Sequence, residues 1–174
     1  MLELGDRRWL TLGANERDGR YVTQWLRRLL DEPDNIALFM EDESASLCSL
    51  EITWSLAFGA APHLVEVARR AQANARVHYV HFLGAIAIYR LPHDQATDDE
   101  RTRCPDDLEV DFGKAMLAAR DMAIALIPFV VHEVDARGLF AAIAAFQGFG
   151  ALGRRIIDIE LSGQAYSPPD EIEF

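Results

Sequence analysis

A chain of 174 residues that is 50% apolar and 26% charged has the composition of one compact globular domain, which excludes a disordered or fibrous protein. Its 28 acidic against 17 basic residues give a formal net charge of −11, a surface that repels DNA, RNA and anionic lipid and favours a basic partner. Two cysteines far apart, Cys48 and Cys104, form no disulfide framework or metal knuckle, and "MLELGDRRWL" lacks a basic-then-apolar leader, so the chain reads as soluble and cytoplasmic.

Along the chain, Val22, Trp25, Leu26, Leu29 and Leu30 fall on one stripe of an amphipathic helix over 20 to 30, ended by "DEPDN". A short helix is predicted over 35 to 40 with Asp34 as its N-cap. The acidic step "EDES" follows, with "SLCSLEI" placing Cys48 as a small buried hydrophobe. "ITWSLAFGAAPHLVEVARR" then reads as a long apolar helix interrupted by Pro62, which either opens a new helix or kinks a continuous one. His63 beside it is a packing or capping residue.

The segment 77 to 89 is apolar nearly all round, interrupted only by His78 and His81, as in a helix covered on both faces. Residues 92 to 107 form a polar loop bounded by prolines, 16 residues long, in which Cys104 reads as exposed near Arg101 and Arg103, though the lack of a local histidine base argues against a reactive thiol. Leu108, Phe112, Ala115, Ala119, Met122, Leu126, Val130 and Val134 keep helical spacing, so one helix is predicted through 134. Asp106 or Asp107 caps it, Glu109 and Asp111 lie in its first turn, and Pro128 sits inside it. His132 and Glu133 close that helix facing solvent. A last helix is predicted over 138 to 157, and 161 to 174 reads as an acidic tail after a single domain of 1 to 160. The longest uncharged run, 138 to 153, is shorter than the roughly 20 residues of a membrane helix.

Setting the two prolines in register pairs Ala57 with Ala123, Pro62 with Pro128 and Val65 with Val131. Downstream, Tyr79 pairs with Phe140, Phe82 with Ile143 and Ala85 with Phe146. Repeated helix pairs of this kind are the pattern of α-solenoids. "AAPHLVEVARR" followed by "HYVHFLGAIA", with a late "FAAIAAFQGFGALGRRI", resembles bacterial HEAT/armadillo-like helical proteins over residues 20 to 160. The expected fold is therefore all-α, a curved HEAT-like stack of about seven to eight helices. The resemblance implies partner binding, and some members of that group resemble immunity proteins that neutralise a bacterial toxin.

No phosphate-binding glycine motif and no H-E-x-x-H occurs, and the chain has no Glu-x-x-His for a di-metal bundle. His78 and His81, at i and i+3, lack a third local ligand, so neither a metal nor another cofactor is assigned and no catalytic residue is named. Charge arrangement remains. Between Arg28 and Arg69 there is no Lys or Arg, yet Glu41, Asp42, Glu43 and Glu51 occur there, with Trp54 as an interface anchor or core residue. Asp94, Asp98, Asp99, Glu100 and Asp106 form a second acidic run. Loops that gather these runs at one end of a stack steer a basic partner, such as a toxin nuclease with a phosphate-binding groove. The expectation is a non-enzymatic immunity protein that occludes a basic toxin. The alternative is a helical enzyme or small-ligand binder using the His78/His81 helix and the 92 to 107 loop.

Overall fold

The computed structural model describes residues 1–13, 19–40, 47–49, 52–90 and 103–161. The fold is all-α, as expected, with seven helices among the described residues. In chain order they are α1 (Gly19–Asp31), α2 (Ile36–Phe39), α3 (Ser55–Arg70), α4 (Ala73–Ile88), α5 (Asp106–Leu126), α6 (Glu133–Phe146) and α7 (Gly150–Leu161). A 3-10 turn, Arg7–Thr11, precedes α1. Two-residue strands β1 (Cys48–Ser49) and β2 (Ile52–Thr53) pair antiparallel ahead of α3.

α3 is the central element: it packs on α1, α4 and α5, and nearly every residue from Ser55 to Ala68 is buried. Pro62 lies within this continuous helix, so the kink-or-new-helix choice resolves to one helix with an internal proline. Pro62 is half-buried, and the N-terminal arm covers the same stretch of α3: the Trp9 ring and Leu12 lie against Gly59, and His63 Nε2 donates to the Leu2 carbonyl at 2.8 Å. The far end of α3 is closed by Arg76, whose guanidinium donates to the carbonyls of Ala68 and Ala71 at 2.7 Å each. A cation there satisfies orphan carbonyls and complements the helix dipole.

α3 pairs with α4, α5 pairs with α6, and the two pairs stack like on like, α3 on α5 and α4 on α6, with α7 against α6. Small residues set the α4–α6 distance. A Cβ on Gly84 would lie 2.5 Å from the Cβ of Ala142, and one on Gly138 would lie 2.6 Å from the His81 ring. Buried polar groups are satisfied locally: Trp25 Nε1 donates to the Leu38 carbonyl at 3.0 Å, Thr53 Oγ1 to Ile86 at 3.0 Å and Tyr79 Oη to Pro33 at 2.8 Å. Burial pushes the Tyr79 hydroxyl up to about 12.

Several boundaries differ from expectation. The N-cap of α2 is Asn35, whose side chain accepts from the Leu38 amide at 3.0 Å, one residue beyond Asp34. α5 begins after Pro105 with no side-chain cap, so Asp106 and Asp107 lie within its first turn, and the loop ends sooner than 107. α5 stops at Leu126 rather than continuing through 134, because Pro128 enters a 3-10 turn, Ile127–Phe129, and Val130 is extended. His132 and Glu133 therefore open α6 instead of closing α5. The last predicted helix is two: Gly148, at φ 89, turns the chain between α6 and α7. At side-chain level the proline register holds only in part: Ala57 and Ala123 are both buried, but other pairs differ. Val65 and Tyr79 are buried where their counterparts Val131 and Phe140 are 90% and 51% exposed. Pro62 and Pro128 occupy different local geometries, one inside a helix and one in a 3-10 turn. The tail, from 162 onward, lies outside the described residues.

Candidate functional site

The elbow between α5 and α6 is built by the sequence "IPFVVHEV". Proline at 128 cannot donate within a helix, so the chain leaves α5, makes one tight turn and runs extended through Val130 (ψ 124°) and His132 (ψ 134°) before α6. Four large apolar residues in this short span cannot all reach the core from an extended strand. Phe129 is 69% exposed, Val131 90% and Val134 60%. Phe129 and Val131, together with the start of α4, border a groove of about 610 Å³, lined by Val77, His78, Phe129, Val131, His132 and Asp135 among others. A contiguous exposed apolar surface with a polar rim is the usual form of a protein-docking site.

The two histidines singled out in the sequence part company here. His78 is exposed and lines the groove, whereas His81 lies over Gly138, its Nε2 donating to the Asp135 carbonyl at 3.0 Å. Among the described residues no three His, Cys, Asp or Glu side chains gather as a metal site. The arrangement thus brings His78 to His132 and Asp135 around one groove, and takes His81 into the α4–α6 packing.

A second cavity, of about 710 Å³, lies between the N-terminal 3-10 turn and the first turns of α3 and α5. Arg8, Ser55, Arg103, Cys104, Asp106 and Asp107 line it. Its polar groups are largely engaged with one another. Arg8 holds Asp107 by two hydrogen bonds, at 3.1 and 3.3 Å, and that pairing lowers the Asp107 carboxyl below its usual range. Ser55 Oγ accepts from the Gly13 amide at 2.7 Å. The exposure expected at Cys104 is not found: Cys104 is half-buried, and burial pushes it up to about 11. Burial likewise pushes Cys48 up to about 11, in keeping with a packed thiol. Both are poor nucleophiles at neutral pH.

Of the acidic surface anticipated from sequence, Asp106 is placed, exposed, in the first turn of α5 beside Asp107 and Glu109. Trp54 is half-buried at the N-cap position of α3, its amide donating to the Leu47 carbonyl at 3.0 Å. Glu41, Asp42, Glu43, Glu51, Asp94, Asp98, Asp99 and Glu100 lie outside the described residues. The elbow was not anticipated as a site. Its signal was present in the run Ile127, Phe129, Val130 and Val131 around Pro128, since a helix stripe accommodates such residues only at three- and four-residue spacing.

The class these features define is an all-α protein of stacked helix pairs with an apolar groove at the elbow within the α5–α6 pair. No family model, no curated protein and no solved structure matches the chain.

Proposed function

We propose that the chain is a non-catalytic protein-binding module whose groove at the α5–α6 elbow receives apolar side chains of a basic protein partner. The observation that carries this reading is the exposure of Phe129 and Val131, which line a groove of about 610 Å³. A monomer gains nothing from keeping such side chains in water, while a partner that covers them obtains a hot-spot core with His78, His132 and Asp135 as its polar rim. The net charge of −11 supplies long-range attraction for a basic partner and accelerates encounter. In its sharpest form the module is a cytoplasmic immunity protein: the acidic residues around 41 to 51 and 94 to 107 face the basic groove of a toxin, and the elbow anchors it.

Capture from the native lysate at low and high salt, followed by binding kinetics with the purified partner, tests this. A single stoichiometric basic protein is expected, with Val131→Asp weakening it at least tenfold through faster dissociation. Asp106→Lys is expected to slow association and flatten its salt dependence. No partner at either salt from a lysate that expresses the neighbouring proteins overturns the reading.

The cavity between Arg8, Ser55 and Arg103 supports a second reading, a small-ligand binder, because its volume of about 710 Å³ is in the range of ligand pockets. That reading predicts a ligand-induced rise in melting temperature that Arg103→Ala removes and Val131→Asp does not.

A further inference from the structure

We propose that two copies of this chain pair through the solvent face of α5, the helices running antiparallel about a two-fold axis beside Leu117. The inner face of α5 is fully used, with Leu108, Phe112, Ala115, Met116, Ala119, Ala123 and Leu126 buried. The outer face should then be polar, yet Val110, Leu117 and Ile124 are 66%, 51% and 49% exposed. They are seven residues apart, so they form one line down the helix, continued by Ile127, which is 38% exposed. This is the spacing of a helix–helix seam, and no other described element lies over it.

Gly113 sits on the same face. A Cβ there would meet nothing within 4 Å, unlike Gly84 and Gly138, whose places in the fold admit no side chain. Glycine is among the poorest helix formers, and the chain's own packing gives no reason for one in the middle of α5. An antiparallel copy gives the reason: Ile124 of one chain enters the recess over Gly113 of the other, Val110 meets Ile127, and Leu117 lies along the aliphatic stem of Arg120.

The charges agree with this register. Lys114 and Asp121 occupy equivalent positions one heptad apart beside the stripe, so the two-fold axis sets Lys114 of each copy near Asp121 of the other. Both are free to do so at little cost. Lys114 is 3.9 Å from Asp111, and Asp121 pairs with its neighbour Arg120, both exposed contacts of small energy. The setting favours self-association as well. α5 itself carries Asp106, Asp107, Glu109, Asp111 and Asp121 against Lys114 and Arg120, but antiparallel pairing sets the acidic first turns of each copy against the uncharged run 122–131 of the other, so acid does not meet acid. Even with the Lys114 and Arg120 stems, a single line of exposed apolar residues is a small contact beside the roughly 1,000 Å² that a specific pair needs. Self-association through so small a contact is weak and concentration-dependent, to be read between about 1 µM and about 100 µM.

Sedimentation velocity over that range tests the proposal on the full chain. Leu117→Glu is expected to weaken self-association at least tenfold with an unchanged far-ultraviolet spectrum. Lys114→Glu and Asp121→Lys alone are expected to weaken it several-fold, and the double reversal to restore it, a rescue that a structural role for either residue does not predict. Val131→Asp, at the elbow, is expected to leave it unchanged, which separates this pairing from the partner site proposed above. A monomer at every concentration overturns the proposal and leaves the α5 face to a different chain. Self-association that Leu117→Glu does not touch, or that the double reversal fails to restore, overturns the α5 register.

Discussion

His63 and Cys104 show how burial decides what a titratable residue does. His63 is buried beneath the N-terminal arm, its Nε2–H donating to the Leu2 carbonyl and its ring 5.9 Å from that of Trp9. Burial lowers its pKa, the backbone hydrogen bond opposing this only in part. As pH falls below about 6.5 the unfolded ring takes up a proton before the folded one does, so the contribution of His63 is complete above that value and is lost below it. Melting temperature should fall between pH 7.5 and 5.5, and His63→Gln, which keeps a donor for Leu2, should reduce that fall. An identical pH profile in the variant would show that His63 is not responsible. At Cys104, a pKa near 11 leaves about a hundredfold less thiolate at neutral pH than a free thiol has. Iodoacetamide should accordingly modify it about a hundred times more slowly in the native protein than after denaturation, and equal rates would contradict its burial. The packing role of His63 was legible beside Pro62, but the burial of Cys104 was not, since "RTRCPDD" gives polar neighbours and no sign of the residues packed nearby.

Among the helices, those with a clean periodic stripe were legible and those ended by tertiary context were not. α1 was readable almost to the residue because its apolar stripe is flanked by Arg27 and Arg28 and cut by "DEPDN". The end of α5 was misread because Val130 and Val134 continue its spacing by chance while Pro128 turns the chain away; periodicity reports a possible face, not that the backbone stays helical to use it. α6 and α7 fused in the sequence for a similar reason, since the left-handed turn at Gly148 lies among residues that are apolar or small on either side. Glycines separate the two kinds of helix surface. Gly84→Ala forces a methyl against Ala142, and such overpacking costs about 1–3 kcal/mol. Gly113→Ala has open space and gains up to about 1 kcal/mol of helix propensity. Urea unfolding at low micromolar concentration should therefore give opposite signs for the same chemical change. Two shifts of the same sign would mean that α4 and α6 are not in contact at Gly84, or that Gly113 is constrained.

Across the whole molecule, the acidic character anticipated from sequence is uneven, because residues 112 to 157 are net basic and the excess acid belongs to the segments on either side. Stability is uneven too. One large core joins residues from the N-terminal arm to α6, with Trp9, Trp25, Phe58 and Phe112 fully buried in it. α7 instead meets a small satellite of Ile88, Ala141 and Ala145, to which it contributes the half-buried Ile156 and Ile157. A helix that buries little apolar surface opens without the rest, since its local free energy of opening is below that of global unfolding. All three tryptophans lie in the first 54 residues, so fluorescence reports the large core and is blind to α7. Hydrogen exchange resolves both. Amides of α3 around Leu64 should exchange only through global unfolding, tracking the fluorescence-detected stability as urea is raised. Amides of α7 near Ile156 should exchange at least about tenfold faster and with little urea dependence, as expected for a local opening that exposes little surface. Equal protection and equal urea dependence in the two helices would instead show that α7 unfolds with the main core, and that the satellite is energetically part of it.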